Sequence, residues 1–449
     1  MSKRAIVGML RINPHDHILF KLQLNELEAL TKALGYEIVE KFTQTNIRAK
    51  GGYLIGSGKV DELNQLVRDD DVELVVLYNV LTSKQKLNLS LALNCEVIDR
   101  YELALRIFEE MASDRISKLQ IELARERKLF PFYQLQAEVK YSGKDRPPSW
   151  AGTGEFAFHS KVKGIQKRIG KVRREISVLA NDKIRQIEER RKLGIPLVCI
   201  AGYYNAGKTT LFNLLTGENK LVGDRPFKTL SSKYQRLQLN HHDTPLFIDT
   251  IGFVIGLDPA LIKAFELTLM DMKEADLLLF MIGVDDEPDF LFHKLKFGLR
   301  LLQDIGVENG RILIVLNKLD LFDGESPEKA ITALKPLLEQ YEWTSISAKE
   351  NMGVDKLIDK VLTKLKSLPA KKALKANLSK SVKEIPAQAF PVPGGPPSSA
   401  IRATASNIEN PDRKTYPDIS QPRDDDKDGD FDKPPLPQTN ENKTDTEAY

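Results

Sequence analysis

The sequence predicts an α/β protein: two units built on parallel sheets, separated by a long helical hairpin and followed by a tail without a core. Three observations carry this. Short apolar runs alternate with helical stretches over about 1–100 and again over 195–368, the pattern of parallel sheets covered by helices. Between them, from Val162, apolar residues recur at Ile165, Ile169, Val172, Ile176 and Leu179, the alternating spacing of a heptad seam. From 369 onward lie 12 of the chain's 23 prolines and the run RDDDKDGDFDK. That composition cannot bury enough apolar surface to fold, so 369–449 is expected to be disordered.

In the first unit, 1–100, AIVGML, YEIVEKF, ELVVLYNV and CEVID read as strands, with helical stretches such as 22–34 and 83–94 between them. Over 101–194 a stripe at 103–126 supplies the first arm of the hairpin and the seam from Val162 the second. The intervening loop, about 128–157, holds Pro147, Pro148, Gly152 and Gly154; at that length it is expected to be functional or disordered.

Hydrophobic residues make up 41% of the 449, enough for real cores, and a formal net charge of +3 excludes a globally basic protein. Two cysteines, Cys95 and Cys199, make no disulfide framework and read as small buried hydrophobes in a reducing compartment. No apolar run reaches membrane-spanning length, and MSKRAIVGML lacks the apolar stretch of a signal peptide. A soluble, cytoplasmic monomer is expected.

Two loops pair glycine with lysine. YLIGSGKVDEL, 53–63, fails the phosphate-loop pattern G-x-x-x-x-G-K-[ST] twice, at Tyr53 and Val60; it reads as a turn before a helix. CIAGYYNAGKTTLFNLL, 199–215, meets every position and lies between a buried strand and a helix that stops at Gly217. Backbone amides of Gly202, Tyr203, Tyr204, Asn205, Ala206 and Gly207, with Lys208, Thr209 and Thr210, are expected to hold phosphates. Lys208 places its charge between β- and γ-phosphates, and Thr209 offers a hydroxyl to Mg²⁺.

Three further motifs follow in order. DTIGFV, 249–254, puts Asp249 at the end of a strand, suited to Mg²⁺, and Gly252 where its amide reaches a γ-phosphate. LNKLD brings Asn317, Lys318 and Asp320; the Asp320 carboxylate can accept from guanine N1 and N2, a donor pair adenine lacks. SAK offers backbone amides of Ser347, Ala348 and Lys349 to guanine O6. Between the phosphate loop and Asp249, GDRPFKTLSSK should close over Mg²⁺ with Thr229, Ser231 and Ser232 being its competitors, and place Phe227 beside the nucleotide. Together these predict a Ras-like GTPase domain over 195–368, with Mg²⁺ as cofactor, GTP and GDP as substrate and product, and Lys208, Thr229 and Gly252 as catalytic groups. Where Ras has a water-positioning glutamine this chain has Phe253, which cannot hydrogen-bond a water. Slow hydrolysis in isolation is expected, and a Phe253→Ala rate near the parent's.

GYYNAGKTTLFN, DTIGFV and DPALIKAFELTLMDMKEADLLLFMI resemble the HflX family of translation-associated GTPases. So do VIDRYELALRIFEE, QIELARE and YLIGSGKVDEL in the first half, so the resemblance covers roughly 1–368. It implies an α/β piece and a helical hairpin ahead of the GTPase domain, and binding to the large ribosomal subunit and its RNA, with splitting of stalled ribosomes in some members. The chain departs from the family at AGTGE, 151–155, where R-G-P-G-E is usual, at HSKVK, 159–163, and at Ser231, where aspartate is common. From His159 to Lys192 there are 12 Lys or Arg against 4 Asp or Glu, a rod that reads either as a solvated face or as an RNA contact. Tyr133, Tyr141 and Trp150 could stack on bases or pack on the hairpin. A lysine-rich start to the tail, from Lys371 to Lys383, extends the basic stretch. The competing reading is a ribosome assembly or storage factor that senses GTP with negligible turnover.

Overall fold

The structure, a computed structural model, describes residues 3–12, 17–46, 51–112, 114–141, 153–217, 233–239, 244–255, 259–321 and 328–367. The expected disordered tail, Phe227, Thr229, Ser231, Ser232 and Trp150 lie outside the described residues.

Strands β1 (Lys3–Arg11), β2 (Tyr36–Thr45), β3 (Leu74–Leu77) and β4 (Glu96–Asp99) form a parallel sheet in the order β2-β1-β3-β4. The central strand is buried without interruption from Ala5 to Leu10, because helices cover both faces. Ala5, Val7, Leu74 and Ile98 belong to one core with α1 (His17–Ala33) and α4 (Arg100–Met111). Ile6, Leu10, Val75 and Val97 belong to another with α2 (Ser57–Asp69) and α3 (Ser83–Leu93). Cys95 is only half-buried, unlike Cys199.

The stripe at 103–126 is not one arm. The helix ends at Ala112, whose φ of −70° and ψ of 112° are extended, so α4 packs on the sheet and the hairpin starts with α5 (Arg115–Tyr141). The restart is capped: Asp114 Oδ1 accepts from the Ser117 amide at 2.8 Å. α5 runs through Pro131, anchored by the fully buried Phe130 and by the Lys86 ammonium 5.1 Å from the Phe132 ring centroid. α6 (Thr153–Lys192) returns antiparallel, pairing Arg168 with Glu122 at 2.5 Å and Arg115 with Glu175. Both ends of the expected loop 128–157 are therefore helical, and 142–152 lie outside the described residues. Ile169, Val172 and Ile176 are buried as expected, but the seam then passes to Ala180 and Ile187 while Leu179 is half-exposed. A helix of 3.6 residues per turn drifts off a strict heptad.

The third region forms a six-stranded sheet from β5 (Leu197–Tyr203), β6 (Lys233–Arg236), β7 (Leu246–Phe253), β8 (Leu277–Gly283), β9 (Ile312–Asn317) and β10 (Glu342–Ser345). Its order is β10-β9-β8-β5-β7-β6, with only β6 antiparallel. Around it lie α7 (Lys208–Thr216), α8 (Pro259–Ala264), α9 (Glu266–Glu274), α10 (Pro288–Ile305), α11 (Glu328–Leu338) and α12 (Val354–Ser367). The hairpin is bonded to α8 and α9: Gln120 donates to Ala264 O at 2.7 Å and accepts from Thr268 at 2.8 Å, and Lys183 meets Asp271 at 2.8 Å. Phe108 of α4 packs edge-on against Phe265, centroids 4.9 Å apart. Among the described residues no helix is long and apolar enough to cross a membrane.

Candidate nucleotide site

The buried strand β5 ends at the loop that starts α7. Three residues there take left-handed or otherwise positive φ: Gly202 at 145°, Asn205 at 60° and Gly207 at 89°. These φ values bend the chain around the start of α7, the kind of turn an anion site uses. Within it the Tyr204 amide bonds Phe253 O at 3.2 Å and the Ala206 amide Tyr203 O at 3.3 Å, so of the loop amides expected to hold phosphates these two are already engaged. Glycine at 207 is also a matter of space. A Cβ there would lie 2.1 Å from Asn317 Nδ2.

Lys208 is 7% exposed and donates to Tyr203 O at 2.6 Å. Burial pushes its ammonium down to about 8, against the pull of Asp249. Thr209 Oγ1 donates to Asp249 Oδ2 at 2.9 Å. β7 runs beside β5 with Gly202 opposite Gly252 and Tyr203 opposite Phe253. A Cβ on Gly252 would sit 3.1 Å from the Tyr204 backbone and 3.3 Å from Lys208 Nζ, so this glycine lies against both loop and lysine. Lys208, Thr209, Asp249 and Gly252 thus come together; Tyr204, Ala206 and Thr210 lie in or beside the same loop.

Asn317 ties the other end. Its Nδ2 donates to Ala206 O at 2.9 Å and its Oδ1 accepts from the Ala348 amide at 2.9 Å. Ser347 Oγ donates to Asp320 Oδ1 at 2.6 Å, and Lys318 Nζ meets Asp285 at 2.7 Å. A cavity of about 120 Å³ beside this junction is lined by Tyr204, Asn205, Gly283, Asp285, Asp286 and Lys318, among others. A larger one, about 640 Å³, opens elsewhere, between α8, α9 and α10. One expectation is narrowed. The Ser347 amide bonds Met352 O at 3.0 Å and the Ala348 amide bonds Asn317, so of the three amides offered to guanine O6 these two are already engaged.

Phe253 belongs to the core. It is 2% exposed and packs against Tyr203 and Phe280, centroids 6.2 and 6.0 Å away. Truncation to alanine would leave a cavity and cost about 3–5 kcal/mol, so a rate change in Phe253→Ala would report on packing. Phe253→Leu is the better probe. Sequence reading missed Glu26, whose Oε1 accepts the Ile255 amide at 2.8 Å just past this strand. Its signal was there: Leu22, Glu26 and Leu30 fall on one helical stripe, with a charge at an apolar place.

Residues 21–109 match the family described as GTP-binding GTPase N-terminal, and 197–318 the one described as 50S ribosome-binding GTPase. The chain is 36% identical over 365 residues to the GTPase HflX of Thermofilum pendens, covering 81% of this chain and 84% of that one. The chain belongs to the HflX family of GTPases. A second HflX protein, from Caldanaerobacter subterraneus, is 33% identical over 364 residues, 80% of each chain. Hyperthermus butylicus HflX is 32% identical over 77% of this chain and 93% of its own. Among solved structures, a Sulfolobus solfataricus GTP-binding protein in complex with GDP is 24% identical, covering 81% of this chain and 99% of its own at a TM-score of 0.43. HflX membership, shown by these relatives, agrees with the motif order in the sequence.

Proposed function

We propose that the chain binds GTP with Mg²⁺, hydrolyses it slowly alone and faster on the large ribosomal subunit, and uses the cycle to change its grip on ribosomes in the cytoplasm. The observation that carries this reading is the convergence of buried Lys208 with the Thr209–Asp249 bond and with Gly252. Thr209 and Asp249 offer hard oxygens at a shared point, the donor type Mg²⁺ takes; Thr229 is proposed from the sequence as a third. The ion would neutralise charge building up on the β- and γ-phosphate oxygens. This chain's own groups do the rest. Lys208 holds a positive charge at the phosphates, the amides between Gly202 and Gly207 that are not bonded within the loop orient them together with that of Gly252, and Asp320 reads the guanine edge. Ser347, Ala348 and Lys349 close the base end, with Lys318 alongside.

Nucleic-acid contact is proposed for the second hairpin helix. Lys163, Lys167, Lys171 and Arg174 are all exposed and fall three or four apart, on one face. That stripe suits an RNA backbone better than a scatter of charges would. Splitting of stalled ribosomes is proposed on the family resemblance. The chain is proposed to act as a monomer.

One observation favours the second reading, a GTP-sensing assembly or storage factor. With Phe253 locked in the core, its position cannot supply a group to hold water. Phosphate release from GTP and from ATP, with and without purified large subunits, separates the two. Slow GTP turnover that rises steeply with subunits supports the GTPase cycle. Tight GTP binding without any rise supports the sensor.

A further inference from the structure

α1 presses Leu22, Leu27 and Leu30 into a core shared with the nucleotide-binding half. Within that stripe Glu26 is 4% exposed. Its Oε1 accepts the Ile255 amide at 2.8 Å, while Oε2 has no hydrogen-bond partner. Ile255 lies three residues beyond Gly252 and is itself buried. A buried carboxyl is costly unless bonded, and an apolar side chain would fill the stripe more cheaply. What the carboxyl adds is a hold on one backbone amide of the γ-phosphate loop.

The groups facing it come from four elements. Arg100 of α4 and Lys294 of α10 bear on it electrostatically, and its own charge in turn raises the phenols of Tyr78 after β3 and of Tyr203 and Tyr204 in the phosphate loop. Asp286, just before α10, acts on Tyr204. Both cations bond elsewhere: Arg100 to the Tyr78 hydroxyl, Lys294 to Asp286 at 2.5 Å. Glu26 is therefore placed for the amide and not for an ion pair. Burial outweighs these cations and the amide, and pushes the carboxyl up to about 7.

We propose that Glu26 is a positioning residue for GTP hydrolysis: a side chain of the N-terminal sheet unit that fixes the backbone after Gly252, so that the γ-phosphate loop follows that unit's placement. The inference rests on the hydrolysis reading above. Its test uses the full chain, wild type and with Glu26→Ala or Glu26→Gln. Single-turnover GTP hydrolysis and GTP affinity are measured from pH 6 to 8.5, with and without large subunits. The carboxylate is the stronger acceptor, so the wild-type rate should rise with pH through a step near 7. Glu26→Ala should lose about tenfold in rate, the worth of one hydrogen bond, with affinity little changed, and lose the step. Glu26→Gln, whose carbonyl still accepts from Ile255, should recover most of the rate without the step. If Glu26→Ala does not fold, the wild-type and Glu26→Gln profiles decide. An Ala variant as fast as wild type, rate and affinity falling together, or a step that survives in Glu26→Gln overturns the proposal. A wild-type chain that never releases phosphate overturns the hydrolysis reading and this inference with it.

Discussion

The two glycine–lysine loops of this chain look alike as strings and differ as structures. At the first, Gly56 caps α2 with an ordinary φ of −71°, and its amide is spent on Gln44 Oε1 at 2.8 Å. Lys59 lies along the surface, bonded to Glu62 at 2.6 Å and over the Phe42 ring. At the second, three positive φ values bend the backbone around the start of α7 and Lys208 is withheld from water. A phosphate site is made by converging amides and a desolvated cation, and glycine and lysine in sequence are only its raw material.

The strongest way to break this contrast is to remove each lysine. Lys208→Ala should cut GTP hydrolysis by about 10²–10³-fold, the usual loss for a charge-stabilising donor. Lys59→Ala should stay within about twofold in the same phosphate-release assay. Equal losses would end the distinction. Next, Gly207→Ala must displace Asn317 Nδ2, 2.1 Å from the new Cβ, at a φ of +89°. It should cost about 2–4 kcal/mol in urea unfolding and abolish nucleotide binding. Asp320→Asn sharpens the chemistry of the second loop's far end. A carboxamide donates where a carboxylate accepts, so GTP affinity should fall roughly 100-fold while xanthosine triphosphate, with an oxygen at C2, gains. Competition titrations check this.

A smaller effect concerns the proton on Lys208. Burial lowers its pKa to about 8, and phosphates beside it would raise it again. Above that pH the lysine must take up a proton to bind, so GTP affinity should weaken by up to about tenfold per pH unit. Calorimetry in two buffers of different ionisation enthalpy should show proton uptake at pH 8.5 and little at pH 7. The smallest change belongs to the first loop. Nothing lies within 4 Å of a Cβ on Gly58, which is inside α2, so Gly58→Ala should raise stability by about 0.5–1 kcal/mol. GTP turnover should not respond.

What could be read from the sequence was whatever repeats or recurs locally. β1, β5, β8 and β9 are buried on both faces, and their unbroken apolar runs announced them. The loop between β5 and α7, with its strand before and its helix after, followed from pattern and context. The break between α4 and α5 was also legible, since Asp114 stands ready as a cap, but a continuous apolar stripe overrode it. Other features depend on partners far along the chain. That Asn317 occupies the Ala348 amide, or that Phe253 is wedged between Tyr203 and Phe280, is decided by which strands become neighbours. Glu26 is the extreme case: the stripe marked it as odd, and only the fold shows what it holds.

The bond from Glu26 to Ile255 spans 229 residues. At about 5–20 residues per second of synthesis, its acceptor waits on the order of tens of seconds for its donor to be made. Until then the carboxyl has only water for a partner, a charge on the stripe of Leu22, Leu27 and Leu30 that would oppose its sticking to other chains; packing against the later half takes that carboxyl out of water.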